Sequence, residues 1–121
     1  MRLARIVDAF GITHARRHVF LCTGPNCCTS EQGLETWEYL KKRVKELCPN
    51  LAEATIYRTK VNCFRICTDG PICVVYPEGA WYWGVTPEVC ERILTEHVIG
   101  GRIVEEHCFA KNRLLPDGEV P

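Results

Sequence analysis

Two short stretches, HVFLCTGPNCCTSEQG (18–33) and VNCFRICTDGPIC (61–73), constrain this chain more than any other feature. Each sets thiols in a Gly/Pro-bearing segment straight after an apolar or β-branched run. The first holds Cys22, Cys27 and Cys28, and the second Cys63 and Cys67, with Cys73 at its end in the next apolar run. Any fold must therefore hold four or five cysteines at the ends of strands, within 121 residues.

The cysteines number nine, so they cannot all pair within one chain. Their chemistry depends on compartment. The apolar run after Arg16 and Arg17 stops within four residues at TGPN, whereas a secretory core needs about 7–15. The expectation is an unprocessed, cytosolic chain, where disulfides are rare and thiol richness signals metal or redox chemistry. No segment approaches the roughly 20 apolar residues of a membrane span, so no membrane partner is expected. The net charge of zero argues against a nucleic-acid module, whose footprint is a basic excess. The length fits one domain.

Periodicity places the elements. Leu3, Ile6, Val7 and Phe10 share one side of a short helix that Gly11 would stop; it reads as a packing helix or an oligomer contact. HARR reads as a linker. HVFLC is a buried strand ending at Cys22. Ser30 serves as N-cap for an amphipathic helix whose stripe is Leu34, Trp37, Leu40, Val44 and Leu47, with Trp37 as core anchor. ATIYRTKV alternates as a strand leading to Cys63, and PICVVYPEGAWYWGV reads as a hairpin turning at Pro-Glu-Gly. Thr86 caps a second helix with Pro87 at its first position and Cys90, Ile93, Leu94, His97 and Val98 on its apolar face. LLPDGEVP reads as a mobile tail. The order β-α-β-β-β-α gives a small mixed sheet of about four strands flanked by two main helices, with room for an N-terminal one.

Three chemistries compete for the clustered thiols. Thiol exchange of the thioredoxin kind needs C-x-x-C at a helix start, and the chain contains none. Structural zinc usually begins from C-x2-C knuckles, whereas the spacings here are C-x4-C and C-x3-C. A [2Fe–2S] cluster held by four thiolates spans more space and suits ligands on two separate loops. Amides of Gly24, Gly70, other loop residues and the helix start near Ser30 could approach its anionic sulfurs. The cluster is the leading candidate.

HVFLCTGPNC, VNCFRIC, GPICVVYPEGAWYWGVTPE and EHVIGGRIVEE together resemble the thioredoxin-like [2Fe–2S] ferredoxins of the Shethna type, relatives of the small iron–sulfur subunit of NADH-oxidising complexes. The resemblance spans about residues 18–107. It implies an α/β thioredoxin-like fold without the disulfide motif, one surface cluster, redox-protein partners and commonly a homodimer. Family ligand positions fall on Cys22, Cys63 and Cys67. C-x4-C spacing, as in the NADH-complex relatives, selects Cys27 as the fourth. Many relatives have a glycine four residues after this ligand, and here Gly33 lies five after Cys28, which keeps Cys28 as the alternative. The chain divides into an extension (1–17), a ferredoxin domain (18–109) and a tail (110–121).

The other cysteines, Cys48, Cys73, Cys90 and Cys108, read as small buried hydrophobes, and His97 as a satisfied core histidine. Trp81 and Trp83 face opposite to Tyr82 on one strand, for packing or a dimer interface. With no catalytic constellation in the sequence, the expected role is one-electron transfer, not substrate chemistry. The rival reading is a subunit of an NADH- or hydrogen-oxidising complex.

Overall fold

In the computed structural model, which describes residues 1–53 and 55–114, helix α1 (Arg2–Phe10) leads into strand β1 (Arg17–Cys22) and helix α2 (Ser30–Leu47). Strand β2 (Ile56–Val61), the hairpin β3 (Cys73–Tyr76) and β4 (Ala80–Tyr82), helix α3 (Pro87–Arg92) and strand β5 (Cys108–Lys111) follow. The sheet order is β2-β1-β3-β4-β5. β1 and β2 are parallel, with Arg17 opposite Ile56 and Cys22 opposite Val61, and the remaining pairs are antiparallel. β1 to β4 match the four strands expected from the sequence. β5 adds a fifth, pairing Ala110 with Trp81.

The N-cap of the crossover helix α2 is Thr29, one residue before the expected Ser30. Thr29 accepts from the Gln32 amide at 3.1 Å, and the Gln32 side chain accepts from the Thr29 amide at 3.1 Å. This reciprocal box satisfies two orphan donors and is worth about 1 kcal/mol. Trp37, Leu40 and Val44 are buried as expected, but Leu34 is 44% exposed, because the inward positions of the first turn go to Gly33 and Thr36. The Thr36 hydroxyl donates to the Val85 carbonyl at 2.7 Å.

Alternation divides the sheet into two faces. Val19, Leu21, Ile56, Cys73, Val75, Ala80 and Tyr82 point inward, where α2 and the second helix supply Trp37, Leu40, Val44, Ile93 and Leu94. That second helix, capped by Thr86 with Pro87 in its first turn, continues beyond α3 as a π-helix over Ile93–Ile99. The wider turns carry His97 into the core, wholly buried. Its Nδ1 accepts from the Tyr82 hydroxyl at 2.8 Å and its Nε2 donates to Glu78 at 2.9 Å. The expected satisfied core histidine is thus found. Arg17, read in the sequence as part of a linker, belongs to β1 and grips Glu78 with two hydrogen bonds, at 2.9 and 3.0 Å.

Candidate metal centre

Parallel pairing decides where the thiols meet. β1 and β2 run side by side in one direction, so the loops that leave Cys22 and Val61 emerge at the same end of the sheet. The Cys22 amide donates to the Ile72 carbonyl at 2.8 Å, and the Thr23 amide to Val61 at 3.2 Å. A third bond ties the two thiol loops directly: the Gly70 amide donates to the Cys27 carbonyl at 2.7 Å. A Cβ on Gly70 would stand 2.7 Å from that same oxygen, so the approach requires glycine.

The loops bring together the residues singled out in the sequence, as two pairs. Cys22 and Cys27 are buried, their sulfurs 2.6 Å apart, packed with Ile72. Cys28 lies farther out, half-buried, its sulfur 3.7 Å from that of Cys27. Cys63 and Cys67 are exposed, 3.9 Å apart. Among the described residues no three Cys, His, Asp or Glu side chains gather closely enough to enclose one metal ion. Two pairs on two loops is the division a two-iron centre asks for, each iron taking two thiolates.

Backbone amides serve these sulfurs. The Arg65 amide donates to Cys63 at 3.1 Å, and the amides of Gly24 and Phe64 near Cys22 and of Ile72 near Cys27 act to lower the pKa of those thiols. Gly24 was expected in this role. Gly70 instead spends its amide on the Cys27 carbonyl, and the start of α2 is taken up by its own cap and first turn, the Gly33 amide donating to the Thr29 carbonyl at 3.0 Å. Phe64, Arg65 and Ile72 fall among the other loop amides expected in this role but not individually named; they act through main chain, which leaves no side-chain signature.

Electrostatics explains why bare thiolates would not be stable here. Burial, only partly offset by the amides, pushes the Cys22 thiol up to about 11 and also raises Cys27 and Cys28. The neighbouring Cys63 raises Cys67. Crowded sulfurs of this kind ionise together when cationic charge lies among them. The second loop is also strained: Arg65, Cys67 and Asp69 take left-handed backbone at φ 69°, 59° and 54°, costly for residues other than glycine and concentrated at functional sites.

The remaining cysteines stand apart. Cys73 and Cys90 are buried in the main core, Cys48 caps the end of α2, and Cys108 is half-buried at the start of β5.

No family model matches the chain. Over 98 residues it is 32% identical to a 2Fe-2S ferredoxin of Clostridium pasteurianum, covering 78% of this chain and 96% of that protein. Over 104 residues it is 30% identical to a 2Fe-2S ferredoxin of Aquifex aeolicus (strain VF5), covering 80% and 92%. The structure of a thioredoxin-like [2Fe–2S] ferredoxin from Aquifex aeolicus aligns with a TM-score of 0.69 at 29% identity, over 88% of this chain and 99% of that one. At this identity over most of both chains, and with the fold shared as well, the chain belongs to the thioredoxin-like [2Fe–2S] ferredoxin family.

Proposed function

We propose that the protein is a one-electron carrier, holding a single [2Fe–2S] cluster on Cys22, Cys27, Cys63 and Cys67. One observation carries this reading: a buried and an exposed thiol pair meet at one end of the sheet, joined by the Gly70–Cys27 bond. When bound, the cluster takes up and returns one electron. The chain's own groups do the rest. Amides of Gly24, Phe64, Ile72 and Arg65 hold negative charge on the ligand sulfurs, so that an added electron is less costly. Ile72 and the half-buried Phe64 and Trp81 keep water from the inner pair. Cys63 and Cys67, at the surface, give the electron its way in and out. Cys28 is the alternative to Cys27.

The role assigned is transfer between redox proteins, a reductase and an oxidoreductase in the cytoplasm, with no substrate chemistry of its own. Residues 18–109 form the ferredoxin domain in this reading, between an extension (1–17) and a tail (110–121), of which residues 115–121 lie outside the described residues. A homodimer belongs to it as well, supported by the outer sheet face. His18, Phe20, Tyr57, Thr59, Tyr76 and Trp81 alternate with the core positions, are half-buried and carry no formal acid or Lys/Arg charge. A solvated sheet face would normally be polar and charged.

Anaerobic purification followed by iron and acid-labile sulfide analysis tests the proposal. Two irons and two sulfides per chain are expected, with visible absorbance that bleaches on dithionite and an electron paramagnetic resonance signal in the reduced protein. A colourless protein with stoichiometric zinc would refute it. Co-purification with a flavoprotein, and poor behaviour alone, would reassign the chain as a subunit of a larger oxidoreductase.

A further inference from the structure

The end of the molecule opposite the thiols carries a second surface. α1 and the turn after it precede β1, whereas the cysteine loop follows it, so the six residues of β1 separate the two, roughly 20 Å. Leu3, Ile6 and Phe10 form an exposed stripe along α1, 60%, 42% and 47% exposed, and Ile12 extends it at 43%. The helix is already formed without any cover over that stripe. Val7, on the same side as the stripe, is half-buried where α1 lies against the turn at Leu51–Glu53, and the Gly11 amide closes its last turn onto Asp8 at 3.3 Å. A free helix this short would be marginal in water, so docking on the body removes the ordering cost of using it.

Charge indicates what the stripe meets. Residues 1–16 carry Arg2, Arg5 and Arg16 against Asp8, in a chain whose formal charge is zero. Beside Phe10 a groove of about 440 Å³ adds Lys45 and Arg58 to an apolar lining that includes Ile56 and Tyr57. The exposed Glu53, in the turn under α1, is the acidic group to set against them. The surface is therefore apolar along the exposed side chains of α1 and mostly cationic at its flanks.

We propose that α1 seats the protein on an anionic phospholipid surface. Leu3, Ile6 and Phe10 enter the boundary between headgroups and acyl chains, and Arg2, Arg5, Arg16 and Lys45 meet the phosphates. A second copy is the poorer occupant, because a two-fold contact would set these cations against themselves. The protein would lie on the surface without spanning it: no described helix is long and apolar enough to cross a membrane. This departs from the expectation of no membrane partner, which rested on spanning segments alone. It leaves the thiol end facing water, and it holds whether or not the cluster assignment does.

Co-sedimentation of the full-length protein with phosphatidylcholine vesicles containing about one-third phosphatidylglycerol tests the proposal. The wild type should pellet with these vesicles and stay in solution with pure phosphatidylcholine. Leu3→Glu/Ile6→Glu, and separately Arg2→Glu/Arg5→Glu, should each weaken binding by about tenfold or more. All alter exposed positions, and an unchanged circular dichroism spectrum and solution mass would show that fold and assembly persist. A wild type that stays in the supernatant, equal binding to neutral vesicles, or variants that bind like the wild type would overturn it. So would variants that fall to a smaller solution mass, since a second copy would then be the occupant.

Discussion

Cys27 and Cys28 are adjacent in sequence but differ in surroundings. The first is buried, its sulfur 2.6 Å from that of Cys22; the second is half-buried, its sulfur 3.7 Å from that of Cys27. Cys27→Ser is therefore expected to lower iron per chain and visible absorbance much more than Cys28→Ser. Equal losses, or the reverse order, would make Cys28 the ligand. In the second loop, Arg65 holds left-handed backbone at φ 69° and is exposed. Arg65→Gly relieves that conformation and should raise the melting temperature slightly, on the order of 1 kcal/mol of stability, with the cluster retained. A clear drop in melting temperature would mean the arginine side chain holds the loop.

Between elements, the buried chain Val104–Tyr82–His97–Glu78–Arg17 joins the segment before β5, β4, the π-helix, the hairpin turn and β1. Its proton positions follow from the partners. The Val104 amide can only donate to the Tyr82 oxygen, so Tyr82 donates to Nδ1, and the proton on Nε2 faces the carboxylate. Burial lowers the pKa of His97 against the opposing pull of Glu78, and the Arg17 guanidinium draws Glu78 down to about 2. A histidine that resists protonation when folded binds more protons unfolded, so stability falls as pH drops below about 6.5. Glu78 contributes stability above about pH 4.5 that is lost as pH falls toward 2. Denaturant unfolding between pH 8 and pH 5 should show that first decline, and His97→Gln should flatten it while lowering stability overall. Parallel pH profiles for the two proteins would remove His97 as the cause.

The contact of α2 with the first thiol loop offers a second test between elements. Gly33→Ala should help an isolated helix by about 1 kcal/mol. Here the new Cβ would meet the Thr23 backbone, with the Thr23 Cα at 2.5 Å. Lower thermal stability and lower iron content are expected, and a stabilised variant would show that α2 can shift without disturbing the loop.

For the molecule as a whole, the uncharged outer sheet face predicts a dimer with that face inside. Its rings already pack on one another, His18 stacked on Phe20 at 3.9 Å and Phe20 edge-on to Tyr76 at 6.4 Å, so the surface is shaped before any partner arrives. Sedimentation equilibrium should give a dimer for the wild type and a monomer for Phe20→Glu/Tyr76→Glu with visible absorbance unchanged. A wild type that is monomeric at micromolar concentration, or a dimeric variant, would place the contact elsewhere.

Much of this was legible from residue order because the signals are local. Hydrophobic period placed α2, the hairpin and the stripe through Cys90, Ile93, Leu94, His97 and Val98. Thiols at strand ends, with their spacing, pointed to a two-loop metal centre, since strand, turn and helix preferences act over a few residues. β5 was missed because four residues after a tight turn hold too little alternation to register. The π-turns that bury His97, the reach of Arg17 to Glu78 and the amides of Phe64, Arg65 and Ile72 depend on contacts between segments distant in sequence. Main-chain donors look alike whatever side chain they bear. Composition and local pattern thus determined which atoms could bind metal and which segments would be helix or strand. Only the parallel pairing of β1 with β2 decided that the two loops share one end of the sheet, because register and strand direction are set by the packing of the whole chain.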